Sequence, residues 1–125
     1  MTPHFTAYIL HILDSIERLE SLLDRPSLSE DDIFFYNGVL RIIQTLSESA
    51  CKLPEDIKDL YPHIKWRSFQ ITRNSLVHDY LGDFILSDVL KVVREDLPPL
   101  KVAMLNHIPN WEELRDEYKS ETDKE

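Results

Sequence analysis

The chain has 125 residues and a mass of 14.8 kDa, room for one domain but not two. Its 42% apolar and 30% charged residues exclude a disordered chain, and two glycines supply too few tight turns for an all-β sandwich or barrel. A net charge of −9, from 23 acids against 14 Lys and Arg, argues against a non-specific nucleic-acid coat, because phosphate repels such a surface.

Phe5, Tyr8, Ile9, Ile12, Leu13, Ile16, Leu19 and Leu23 recur at three- and four-residue steps, one face of a helix of about five turns. Arg25-Pro26-Ser27 breaks it, since the residue before proline avoids the α region. Ser29 with Asp32 resembles a capping box for a second helix running to about Cys51, with a stripe of Ile33, Phe34, Val39, Leu40, Ile43, Leu46 and Ala50. Pro54 opens a short helical stretch through Leu60, and Pro62 closes it. A further helix spans about Lys65 to Tyr80 on Trp66, Phe69, Leu76 and Val77, with Gly82 as the stop. The next begins near Ser87 on Val89, Leu90, Val93 and Leu97. Pro98-Pro99 kinks or restarts it, and Leu100, Ala103 and Met104 carry the stripe on. Asn110 caps a brief terminal helix around Trp111 and Leu114, and the final SETDKE frays. The expected fold is all-α: an antiparallel bundle of four to five helices over residues 1–109, followed by an acidic extension, 110–125.

The lone Cys51 forms no staple, and no Cys/His cluster has zinc-ligand spacing, so neither metal nor cofactor is expected. The N-terminus lacks a basic leader and reaches Asp14 early, and no apolar run approaches the roughly 20 residues that span a bilayer. A soluble, cytoplasmic protein without membrane contact is the expectation.

Charge is unevenly spread. Residues 110–125 hold seven acids and three bases, whereas residues 60–78 hold no acid and carry Lys65, Arg67 and Arg73 with two histidines. An anion-binding face belongs in the second segment, where Lys65 and Arg67 are candidates for holding RNA or an acidic partner. Within it lies Arg73-Asn74-Ser75-Leu76-Val77-His78-Asp79-Tyr80. At about 100° per residue, Asn74 and His78 are i,i+4 neighbours able to hydrogen-bond, while Arg73 and Tyr80 stack two turns apart on an adjacent face. Arginine and histidine together suit phosphodiester chemistry. The imidazole takes a proton from a ribose 2′-hydroxyl or returns one to the leaving oxygen, and the guanidinium stabilises charge on the phosphoryl oxygens. No metal is needed for that.

The R-N-x-L-V-H-x-Y run resembles the R-x4-H-x-Y signature of HEPN-domain proteins of the HepT type, toxins encoded beside a minimal nucleotidyltransferase antitoxin. The similarity extends from about residue 5 to 106. Arg41-Ile42-Ile43-Gln44 through Glu48-Ser49-Ala50 resembles a second-helix stretch in which "IGEA" is common. Tyr61 through Arg67 resembles "YPxIPWR", and Asp96 through Lys101 resembles "DLPxLK". Lys65 replaces the usual proline, Ser47 the usual glycine, and Gln70-Ile71-Thr72 an "IGM"-like run.

The resemblance implies a HEPN-type bundle that forms a homodimer, alone or within a larger hetero-oligomer, with Arg73 and His78 lining a shared cleft. It implies a metal-independent endoribonuclease, the toxin of a toxin–antitoxin pair. Asn74 and Glu48 support the catalytic pair, and Tyr80 matches the tyrosine to which the nucleotidyltransferase transfers AMP. A binding module without strong catalysis, a partner or substrate of that nucleotidyltransferase, is the main alternative. The blandest is a scaffold in which Arg73 and Asp79 serve ion pairs across the dimer.

Overall fold

The computed structural model describes residues 5–24, 33–78 and 86–123, and the side chains within them apart from 33, 34, 77, 78, 86 and 121–123. Helix α1 runs Thr6–Leu23, α2 Ile33–Cys51, α3 Glu55–Leu60 and α4 Trp66–His78. Helices α5 (Leu86–Lys91) and α6 (Leu97–His107) are joined by one π-helical turn, Val92–Asp96, and α7 runs Trp111–Asp123. There is no strand among the described residues, so the all-α expectation holds. No described helix is long and apolar enough to cross a membrane.

The core forms where the sequence periodicity directs it. Ile9, Ile12, Leu13, Ile16 and Leu19 of α1 are sealed against Val39, Ile43, Leu46 and Ala50 of α2. Phe69 of α4 covers the opposite side of the bundle, and Val89, Leu97, Leu100, Ala103 and Met104 close it from α5 and α6. Helix α2 packs on both α1 and α4, and α1 also packs on α6 and α7. Cys51, ending α2, lines one groove with Trp66 and Gln70, which begin α4, so α2 and α4 run in opposite directions. The closest-packed helices meet over small hydroxyl residues: Thr6, Ser15, Ser47, Ser49 and Thr72 are all buried. Short side chains let the backbones approach.

Two features differ in detail from the sequence expectation. Pro98 and Pro99 restart the last long helix, but after a wide turn that the sequence did not mark. They sit in the first turn of α6, where a missing N–H costs least. The turn ahead of them widens, so that the Leu97 N–H reaches Val92 O, five residues back. Helix α7 is longer than a brief cap-and-turn. Trp111 is buried against the core, and Arg115 lies 4.8 Å over its ring while pairing with Glu17 (3.4 Å) and Asp14 (3.8 Å) of α1. The capping box at Ser29, the break at Pro26 and the stop at Gly82 lie outside the described residues.

Candidate functional site

Helix α4 carries the candidate site, and its start is fixed from three directions. Pro54 caps α3 in the extended conformation. The chain after α3 then turns back, with the Ile64 N–H on Tyr61 O and the Trp66 N–H on Ile64 O. The Trp66 indole N–H is shared between Lys58 O (3.2 Å) and Tyr61 O (3.1 Å), clamping the first residue of α4 to the end of α3. One turn on, the Ser68 hydroxyl donates to Asp96 Oδ2 at 3.0 Å, tying α4 to the π-helical turn. Lys65 stands just ahead of the helix, exposed, its carbonyl accepting from the Ser68 N–H.

Phe69 and Thr72 face the core, with Leu76 partly buried one turn on. This places Arg73 at the boundary, half-buried, and Asn74 in solvent. Arg73 Nη2 donates to Asn74 Oδ1 at 2.9 Å, while the buried Arg73 Nε has no hydrogen-bond partner among the described residues. A buried guanidinium nitrogen left unpaired is costly to fold around. The described bond runs from Arg73 to Asn74, and the Asn74–His78 contact expected from the i,i+4 spacing lies outside the described residues. His78 is the last residue of α4 and its side chain lies outside the described residues, as does Tyr80.

Glu48 sits half-buried on α2. Among the described residues it makes no hydrogen bond or ion pair with Arg73 or Asn74, and its charge is felt at His11 of α1. Arg67 is exposed on α4 beside an open groove, without an ion pair among the described residues. No group of three or more His, Cys, Asp and Glu side chains among the described residues is arranged to hold a metal ion.

Sequence reasoning missed His11. Its Nδ1 lies 2.7 Å from Ser49 Oγ on α2, and its Nε2 lies 3.4 Å from Ser15 Oγ one turn along α1. Shelter of the ring against α2 pushes its pKa below the usual histidine value, outweighing the upward pull of Asp14; Arg18 adds to the lowering and Glu48 opposes it. The Ser15 spacing was visible in the sequence, but the contact with Ser49 joins residues 38 apart. No local pattern announces it.

Comparison with known proteins agrees with the family resemblance. The model of the "Ribonuclease HepT-like" family matches residues 10–106. The chain is 34% identical over 102 residues to a "Gamma-glutamylcyclotransferase and putative RNase" of Methanocaldococcus jannaschii, a match covering 78% of this chain and 45% of that protein. It therefore spans less than half the length of that relative. It is 33% identical over 97 residues to a "Probable ribonuclease HepT" of Thermococcus cleftensis, covering 75% of this chain and 86% of the relative. No solved structure matches. The family match takes in α2 to α5 and most of α1 and α6, includes the bonded Arg73–Asn74 pair, and leaves out α7. The chain belongs to the HepT-like family of HEPN-domain proteins.

Proposed function

We propose that this protein is a metal-independent endoribonuclease, the toxin of a HEPN/nucleotidyltransferase pair, acting as a homodimer with Arg73 and His78 in a shared cleft. The observation that carries this reading is the Arg73 guanidinium. It is half-buried, aimed by Asn74, and retains a nitrogen without a partner among the described residues, five residues before the histidine on one helix. Family membership supports ribonuclease chemistry over a scaffold role.

In the proposed reaction His78 takes the proton of a ribose 2′-hydroxyl, and the 2′-oxygen attacks the adjacent phosphorus. Negative charge grows on the phosphoryl oxygens, where the planar guanidinium donates. The P–O5′ bond breaks and a protonated imidazole, from either protomer, returns a proton to the leaving oxygen. The products are a 2′,3′-cyclic phosphate and a 5′-hydroxyl. AMP transfer from ATP to the Tyr80 phenol, with pyrophosphate released, would silence the site by adding bulk and negative charge beside it. Lys65 adds positive potential at the start of the same helix.

The net charge of −9 favours one competing reading, a module that binds the nucleotidyltransferase and cleaves little. Expression in a bacterial host separates the two. The enzyme reading expects growth arrest by the wild type, relief by Arg73→Ala with the nucleotidyltransferase complex intact, and loss of AMP incorporation in Tyr80→Phe. Arrest that persists in Arg73→Ala contradicts it.

A further inference from the structure

Beside the candidate site, the end of α2, helix α3 and the start of α4 enclose an open groove of about 690 Å³, large enough for a nucleotide. Its walls include Lys58, Asp59, Trp66, Arg67 and Gln70. We propose that this groove holds an amino-bearing base of the RNA substrate, adenine or cytosine, in the strand flanking the scissile phosphate, with Arg67 on its phosphate. The proposal rests on the ribonuclease reading and adds to it a binding subsite and a base preference.

Three observations carry it. The groove and the candidate site share one helix face: Arg67 and Gln70 of the groove and Asn74 beyond it follow one another at i, i+3 and i+7, an exposed stripe along α4. Asn74 draws the Arg73 guanidinium towards that stripe. Arg67 and Arg73 are six residues apart, about 9 Å along the helix axis, which is fewer than three stacked nucleotides at about 3.4 Å each.

The groups facing the groove also divide by role. Lys58 is occupied, with Nζ on Cys51 O at 3.1 Å and near Glu55 at 3.8 Å, so it offers little to a ligand. Arg67 has no ion pair among the described residues and is the groove's available cation. Gln70 and Asp59 are exposed and without hydrogen bonds among the described residues. A carboxylate repels phosphate but accepts from an exocyclic amine, and a primary amide pairs with the edge of adenine. The Trp66 N–H is consumed by two carbonyls, which holds the half-buried ring still and leaves it as a stacking surface. Two acids and an amide beside one unoccupied cation and one aromatic ring fit a base edge better than a run of phosphates.

The test is binding of 2′-O-methylated hexanucleotides of A, C and U, which resist cleavage, to the full-length protein at low salt, followed by anisotropy. The wild type is expected to bind the A or C oligomer at least five-fold more tightly than U. Arg67→Ala should weaken all of them five- to ten-fold and flatten the salt dependence by about one ion. Asp59→Ala and Gln70→Ala should erase the preference for the amino-bearing base. On unmodified oligomers these variants should raise KM with kcat held. All three side chains are exposed, and unchanged circular dichroism confirms folding.

No binding by the wild type, no preference over U, or variants that bind as the wild type does would each overturn the proposal. Variants that bind RNA normally but lose the nucleotidyltransferase would show the groove to be a protein-docking surface, which also overturns it. Binding with the predicted preference but no cleavage of unmodified oligomers would leave the groove assigned and remove the ribonuclease reading alone.

Discussion

Among the described residues, Arg73 is bonded to its sequence neighbour, Asn74, and to no carboxylate. A carboxylate would hold the guanidinium in a neutral pair, whereas an amide oxygen orients it and leaves its charge for a phosphoryl group. Lysine keeps the charge and loses the planar fork, so Arg73→Lys should lower kcat by about 10²–10³ while leaving thermal stability close to wild type. Single-turnover cleavage beside a melting curve checks both. His11 gives a pH prediction of defined sign. Its pKa is depressed in the folded state, so between that value and the ordinary 6.5 the unfolded chain binds more protons. The stabilisation is fully present above pH 6.5 and is lost as the pH falls towards the folded value. Tm should decline over that interval, and His11→Gln, which keeps a partner for Ser49, should flatten the decline. A histidine whose contact is with a serine 38 residues away could not be read from the sequence, whereas Arg73 and His78 stood out as candidates because both lie within one short motif.

At the scale of elements, α2 carries a local conflict. Ser47 is fully buried where the resembling family has glycine, and its hydroxyl has no hydrogen-bond partner among the described residues. Ser47→Ala removes an unsatisfied buried group and improves helix propensity, so stability should rise by about 1 kcal/mol and Tm by about 4 °C. Thermal denaturation decides this. The Ser68–Asp96 bond joins α4 to the π-helical turn, and Ser68→Ala should cost about 1–2 kcal/mol in a urea titration. The end of α2 and both ends of α3 were legible because prolines and periodic apolar residues mark them. The π-helical turn was not. The two consecutive prolines were plain, but a widened turn and a sharp kink both accommodate carbonyls left without a proline N–H donor, so the sequence does not choose between them.

For the whole molecule, the sequence marked residues 110–125 as an acidic extension, and charge alone suggests solvent. The structure adds an anchor: Trp111 is buried and Arg115 bridges to two acids of α1, with Glu112, Glu113, Asp116 and Glu117 of α7 exposed. One indole outweighs several solvated carboxylates in deciding where such a helix lies. Trp111→Ala should therefore destabilise the protein by about 3 kcal/mol, as core aromatic truncations do, whereas Glu113→Gln should be nearly silent. The same distribution of charge bears on substrate choice. With acids on α7 and none in residues 60–78, RNA has one favourable approach, along α4, and binding should be confined to a short footprint.

The central claim, that this helix cleaves RNA with its own side chains, is tested most directly by incubating purified wild type and His78→Ala with RNA in EDTA and identifying the product ends. The account predicts cleavage by the wild type that survives EDTA, leaves 2′,3′-cyclic phosphate and 5′-hydroxyl ends, and disappears in His78→Ala. A folded wild-type protein with an unmodified Tyr80 that leaves RNA intact would contradict it, as would a His78→Ala protein that cleaves as well as the wild type.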